Sequence, residues 1–217
     1  QLQGNACKEK ELLCRKVTGD LLRTLWAKHR DGIAWDKSKD QANHLMIIAR
    51  CASLLAKLRG TLNTDRERND AGEDLVYHSP VIEKPDRLNQ LLYNLARGHA
   101  VALGRECITD EDMPCVALLA CDSAPGHRAE LLHALIQRGG RVATGQVEKV
   151  LKVSKPTALH EMENLKILGI CEEWDPDDIT TEKGIKFQEE FMWFCSEECR
   201  AHLQWNTGSD PLNSTSE

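Results

Sequence analysis

Aromatic side chains are scarce in this chain: three Phe, two Tyr and five Trp among 217 residues. Leu, Ala and charged residues take their place, a composition that suits a mostly helical protein. No stretch approaches the roughly 20 apolar residues that span a bilayer, so no membrane-crossing helix is expected. The N-terminus is polar and carries no signal-peptide pattern. No Gly-x-x-x-x-Gly-Lys-[Ser/Thr] run is present to cradle phosphates with backbone amides and one Lys, so this chain alone is expected neither to bind ATP tightly nor to hydrolyse it. Neither Gly-x-Ser-x-Gly nor His-Glu-x-x-His occurs. His99, His127, His133 and His160 have no convergent partners in sequence. A stand-alone enzyme is therefore not expected.

What is present is uneven. The net charge is −6, yet residues 1–70 carry fourteen Lys/Arg against nine Asp/Glu, and residues 171–217 carry three against twelve. The nine cysteines are odd in number and lie mostly among apolar residues, which suits small buried side chains in a reducing cytoplasm better than a disulfide framework. Cys195-x-x-x-Cys199-x-x-His202 is the one metal-like run. A structural zinc site wants four ligands, and no second pair is near, so no metal is expected. The chain opens at Gln1 without an initiator Met and is expected to be a piece of a longer protein.

Apolar periodicity places a helix over residues 8–29 (Leu13, Val17, Leu21, Leu25) and another over 38–58, ended by Gly60. Residues 61–84 are polar and read as a loop with a short strand at Leu75-Val76-Tyr77. A helix follows over 85–103, with Pro85 in its first turn and Gly104 after it. A further helix starts at Thr109, with Asp112 placed as in a capping box and Pro114 either kinking it or delaying its start.

Residues 124–187 have a distinctive order of parts. Leu131, Leu132, Leu135 and Ile136 form an apolar helix face that stops at Gly139-Gly140. A short segment, 144–151, comes next. Then Ser154-Lys155-Pro156 opens a helix with Ala158, Leu159, Met162 and Leu165 on one side and Gly169 as its stop. Residues 170–174 read as a strand, Asp175-Pro176-Asp177-Asp178 as a turn, and Ile179-Thr180-Thr181 as the returning strand. That order reads as a winged helix-turn-helix with a small β-hairpin, built to lay its second helix on a partner, usually duplex DNA. Lys155, Thr157, His160, Glu161 and Asn164 fall on that helix's polar face. Lys155, Thr157, His160 and Asn164, with Lys152 and Arg141, are the candidate DNA contacts. Residues 125–170 hold seven Lys/Arg against four Glu, a modest electrostatic footprint inside an acidic chain. The wing turn is acidic where a DNA-contacting wing is often basic. A last helix is expected over 185–203, and residues 206–217 read as a disordered polar tail.

Four short motifs carry a resemblance. Glu83-Lys84-Pro85-Asp86-Arg87-Leu88, Leu95-Ala96-Arg97-Gly98-His99-Ala100, Gly104-Arg105 and Ile108-Thr109-Asp110-Glu111-Asp112 resemble the helical lid that follows the ATPase core of AAA+ proteins of bacterial and phage type. The likeness covers about residues 80–122 and, with the winged helix, reaches about 187. It implies that Arg87 matches the family's second sensor, which touches nucleotide phosphates when an ATPase core is present. It also implies ATP and magnesium in a full-length parent.

The sequence thus points to a mainly α protein. Residues 1–123 form the lid-like domain, 124–187 the winged helix, 188–205 a C-terminal helix and 206–217 the tail. The expected function is a cytoplasmic DNA-binding and regulatory segment of an AAA+-like ATP-driven DNA-handling protein. Its partners would be duplex DNA and the missing ATPase core or a partner subunit, with oligomers allowed. Two alternatives stand beside it: a transcription regulator with an N-terminal helical dimerisation domain, and a protein-interaction adaptor.

Overall fold

The structure, a computed structural model, describes residues 2–69, 72–175 and 182–203. It is mainly helical, with two small antiparallel sheets. Helix α1 (Leu2–Lys28) leads through a short 3-10 turn at Lys37–Lys39 to α2 (Ala42–Leu58). Strands β1 (Thr64–Asn69) and β2 (Gly72–Tyr77) pair with each other. Helix α3 (Pro85–Ala102), a 3-10 turn at Asp110–Asp112 and α4 (Met113–Asp122) follow. Then come α5 (His127–Gln137), β3 (Arg141–Ala143), α6 (Thr144–Leu151), α7 (Lys155–Ile167), β4 (Cys171–Trp174) and β5 (Gly184–Phe187). A 3-10 stretch at Glu189–Cys195 and α8 (Glu197–Leu203) finish the described chain. No helix among the described residues is long and apolar enough to cross a membrane.

Helix α1 begins at Leu2 rather than residue 8, α2 also departs from its expected start, and α4 resolves the choice left open at Pro114. The second helix begins at Ala42 rather than residue 38 because Asp40 is turned inward. Its carboxylate accepts from the Tyr93 hydroxyl (2.6 Å), Trp35 Nε1 (3.1 Å) and the Ile108 N–H (3.0 Å), so the chain is pinned before α2 starts. Helix α4 begins at Met113, which puts Pro114 in its first turn, where the missing N–H has no partner to lose.

The motif from Gly104 to Asp112 acquires a folding role. Asp112 is fully buried. It accepts from Arg105 (2.6 and 2.8 Å), from the Thr109 N–H (2.8 Å) and faces His99 Nδ1 at 2.7 Å. Burial pushes the Asp112 carboxyl up, but the hydrogen bonds from Arg105, Thr109 and His99 outweigh it and hold the group below the ordinary Asp value. The network ties the end of α3 to the start of α4.

The end of the chain corrects one expectation. Residues 185–203 are not one helix. Gly184–Phe187 is drawn into a sheet, where β5 lies between β3 and β4 in the order β3-β5-β4. The expected returning strand at 179–181, most of the wing turn and the tail at 206–217 lie outside the described residues. The buried side chains form one continuous cluster from Ile47 to Leu203, and it runs across the expected boundary at 123/124. Arg128 of α5 donates to the carbonyls of Leu58 (2.8 Å) and Gly60 (2.7 Å), satisfying the C-terminal end of α2. Lys57 Nζ donates to the Gly169 carbonyl (2.9 Å) and pairs with Glu190.

Helix α1 takes no part in that core. Its described side chains are exposed or half-exposed, with Leu12 at 68% and Trp26 at 79%.

Candidate nucleic-acid interface

The turn between α6 and α7 is built around an unusual residue. Lys152 caps α6 in the left-handed conformation (φ 54, ψ 43), the one non-glycine with positive φ among the described residues. Glycine takes this conformation with less strain. Lys152 and Lys155 are both exposed, and neither has an ion-pair partner among the described residues. Thr157, half-buried, holds its hydroxyl 3.1 Å from that of Ser154. A groove beside α7 is lined by Lys155 and Lys183 but also by Glu148 and Glu182, so its charge is balanced rather than basic.

The sheet adds a second patch. Residues 184 and 186 of the central strand share the face opposite Ile185 and Phe187. On that face Arg141, Lys186 and Glu172 lie in one cross-strand row, with Lys186 paired to Glu172 at 2.9 Å. Trp174 lies over Gly184, where an added Cβ would come within 2.7 Å of the indole. The Arg141 guanidinium sits 5.6 Å from the centre of that ring. Arg141 is thus an exposed cation set beside an aromatic ring.

Two expected contacts are corrected. Asn164 is not on an open face: it is buried at 7% exposure, and its amide donates to Glu161 at 3.3 Å. One helical turn from Leu168 and packed toward the core, it has no route to a base edge. His160 is occupied. Its ring stacks on Tyr77 with centroids 6.0 Å apart, and its Nδ1 lies 2.7 Å from the Tyr77 hydroxyl. Beyond Pro156 every residue of α7 is buried or half-buried. A strand ending at Tyr77 is readable from its residues, but no local pattern says where a hairpin docks 83 residues away along the chain. Trp174, Lys183 and Lys186 were also outside the expected set.

Arg87 stands apart from this region. It is exposed and pairs with Glu83 through two hydrogen bonds of 3.0 and 2.6 Å, one helical turn away. No group of three or more His, Cys, Asp or Glu among the described residues is placed to hold a metal. The described cysteines are free thiols. Burial pushes Cys195 up to about 11 and Cys199 up to about 12, which leaves both as poor nucleophiles at neutral pH.

No protein-family model, curated protein or solved structure matches this chain.

Proposed function

We propose that this chain is a nucleic-acid-binding and regulatory segment of an ATP-driven DNA-handling protein, acting in the cytoplasm, with residues 124–187 serving as a winged helix. The observation that carries the reading is the order α5-β3-α6-α7-β4-β5 with its β3-β5-β4 sheet. This arrangement offers the α6–α7 turn and the first turn of α7 to a partner, and the offered residues include Lys152 and Lys155, unpaired among the described residues. Arg141 and Lys186 extend the positive surface onto the sheet. Phosphate contacts from these four side chains would give affinity, and Thr157 is placed to add a hydroxyl contact.

The ATP-linked half of the reading rests on the resemblance of residues 80–122 to an AAA+ lid. Arg87 would sense nucleotide, with magnesium and ATP held by a core on the parent protein, after releasing Glu83. The exposed pair with Glu83 is weakly held and leaves the guanidinium free to exchange partners.

The test is duplex binding by the 217-residue chain at two salt concentrations, against Lys152→Glu with Lys155→Glu. Removing one lysine–phosphate interaction lowers the slope of log K against log salt by about 0.9. The double variant should therefore bind more weakly with a slope smaller by about 2. An unchanged affinity and slope would remove α7 from the interface.

A second reading is favoured by one observation. The bare apolar side chains of α1 suit a transcription regulator in which α1 pairs with a second copy. Sedimentation of the chain and of Leu13→Asp with Leu21→Asp separates the two: a dimer that the double variant dissociates supports the regulator.

A further inference from the structure

We infer that Trp35, Lys37, Tyr93 and Arg97 form a phosphate-binding site where the turn before α2 meets α3, with the Arg97 fork as its main donor and Lys37 as its second cation. The site uses none of the residues assigned to nucleic-acid contact above and does not rest on that reading.

The argument starts from an arginine whose donors go unused. Tyr93 and Arg97 lie one turn apart on α3, so their side chains meet on one face. The Arg97 guanidinium sits 5.7 Å from the centre of the Tyr93 ring and 5.0 Å from that of Trp35, which arrives from the segment before α2. Yet Arg97 makes no hydrogen bond or ion pair among the described residues, and its Nε is buried without an acceptor. Its Nη nitrogens remain accessible to solvent, and the side chain as a whole is half-buried. The other half-buried arginines of this part of the chain are engaged: Arg105 by Asp112, and Arg128 by the carbonyls of Leu58 and Gly60. Leaving a buried, charged donor without an acceptor costs free energy. Packing against two rings offsets part of that cost, and an oxyanion on the Nη nitrogens would offset more.

The acids of the same segment are turned to other donors. Asp40 accepts from the Tyr93 hydroxyl, Trp35 Nε1 and the Ile108 N–H, which holds both rings in place beside the guanidinium. Asp36 accepts from the Ser38 hydroxyl (2.6 Å) and N–H (3.0 Å), and these bonds keep its carboxyl below the ordinary Asp value. Lys37, next to Asp36, places its ammonium 5.6 Å from the centre of the Tyr93 ring. Lys37 is exposed and has no ion pair among the described residues. Two cations of different shape therefore sit against one aromatic ring, and neither is neutralised by a described side chain. A planar fork and a compact ammonium together suit a phosphate, whose tetrahedral oxygens can meet both. A phosphate ester free in solution and the backbone of a nucleic acid both carry that group.

The experiment follows side-chain 15N–1H signals of the full chain while sodium phosphate, adenosine monophosphate or a short single-stranded oligonucleotide is added, with ionic strength held constant by sodium chloride. The Arg97 Nε–H and Trp35 Nε1–H signals, assigned by their loss in Arg97→Lys and Trp35→Phe, should move together and saturate with at least one of the three. Arg97→Lys keeps the charge and removes the fork, and should weaken binding read at Trp35 about tenfold. Lys37→Gln, at an exposed position outside the core, should weaken it about threefold. An oligonucleotide that saturates at the lowest concentration assigns the site to a nucleic-acid backbone; phosphate or the monophosphate saturating first assigns it to a free phosphate compound. The proposal is overturned if neither signal moves with any of the three, if the shifts do not saturate, if added sodium chloride alone reproduces them, or if Lys37→Gln and Arg97→Lys both bind as the parent chain does.

Discussion

Helices α1 and α7 are opposites in how their side chains meet water. The first presents Leu12, Leu13, Val17, Leu22 and Trp26 to solvent, and none of its described side chains is buried. The second carries Lys155, Thr157, His160, Glu161 and Asn164 on what should be its wet face, yet only Lys155 and Pro156 of the helix are fully exposed. The difference lies in neighbours. Helix α7 is held from one side by α5, α6 and the small sheet, and from another by Tyr77. Among the described elements, α1 has no such surroundings. An apolar stripe states that a helix wants a partner, not that the same chain supplies one.

The largest break in that comparison should come where full burial meets charge. Asp112→Ala leaves Arg105 and His99 without their acceptor and should destabilise the fold by about 4 kcal/mol, measured by urea unfolding. The pH dependence has a fixed sign. The folded-state value of Asp112 is depressed, so its stabilising effect is fully present above the unfolded Asp value of about 3.9 and is lost as pH falls through the lower folded value. The parent chain should shed this stability below about pH 4, and Asp112→Ala should lack that step. A step of equal size in the variant would assign acid sensitivity to other groups.

Next in size is the covered side of α7. Leu165 is fully buried, and Leu165→Ala should lower unfolding free energy by about 3 kcal/mol through reduced burial and a residual cavity. A smaller effect has the opposite sign. Lys152→Gly relieves the left-handed strain and should raise stability by about 1 kcal/mol, while weakening duplex binding if Lys152 contacts phosphate. A change that raised stability and left binding intact would keep the turn and discard the contact. The smallest effect belongs to α1: Leu13→Ala should change stability by less than about 0.5 kcal/mol, because little surface is buried there to lose. A drop of several kcal/mol at Leu13 would mean that α1 is covered in solution by another copy, and the contrast with α7 would vanish.

Much of the scaffold was legible because it is local. Leu spacing marked α2 and α3, Gly104 and Gly169 marked helix ends, and Thr109 with Asp112 marked the start that becomes α4. The order of parts from α5 to α7 followed from the same periodicity. The site was less legible. Lys152, Lys155 and Arg141 are exposed as expected, since charged side chains at turns and strand edges face water almost regardless of fold. His160 was misplaced because a helix face that looks polar in sequence can still be met by a distant residue, here Tyr77, and Asn164 because it lies on the buried side of α7. Amide and imidazole groups tolerate burial when they find hydrogen-bond partners.

The sequence by itself determined most of the helical segments as far as α7 and many of their ends, because backbone hydrogen bonding and side-chain periodicity act over a few residues. Only the tertiary structure decided which apolar faces are buried, that Gly184–Phe187 becomes the middle strand of a sheet, that Arg105 serves Asp112, and that Tyr77 rests on His160. Those outcomes depend on contacts between residues brought together by the fold, whose free energy exists only once the surrounding elements have excluded water and fixed the geometry of both partners.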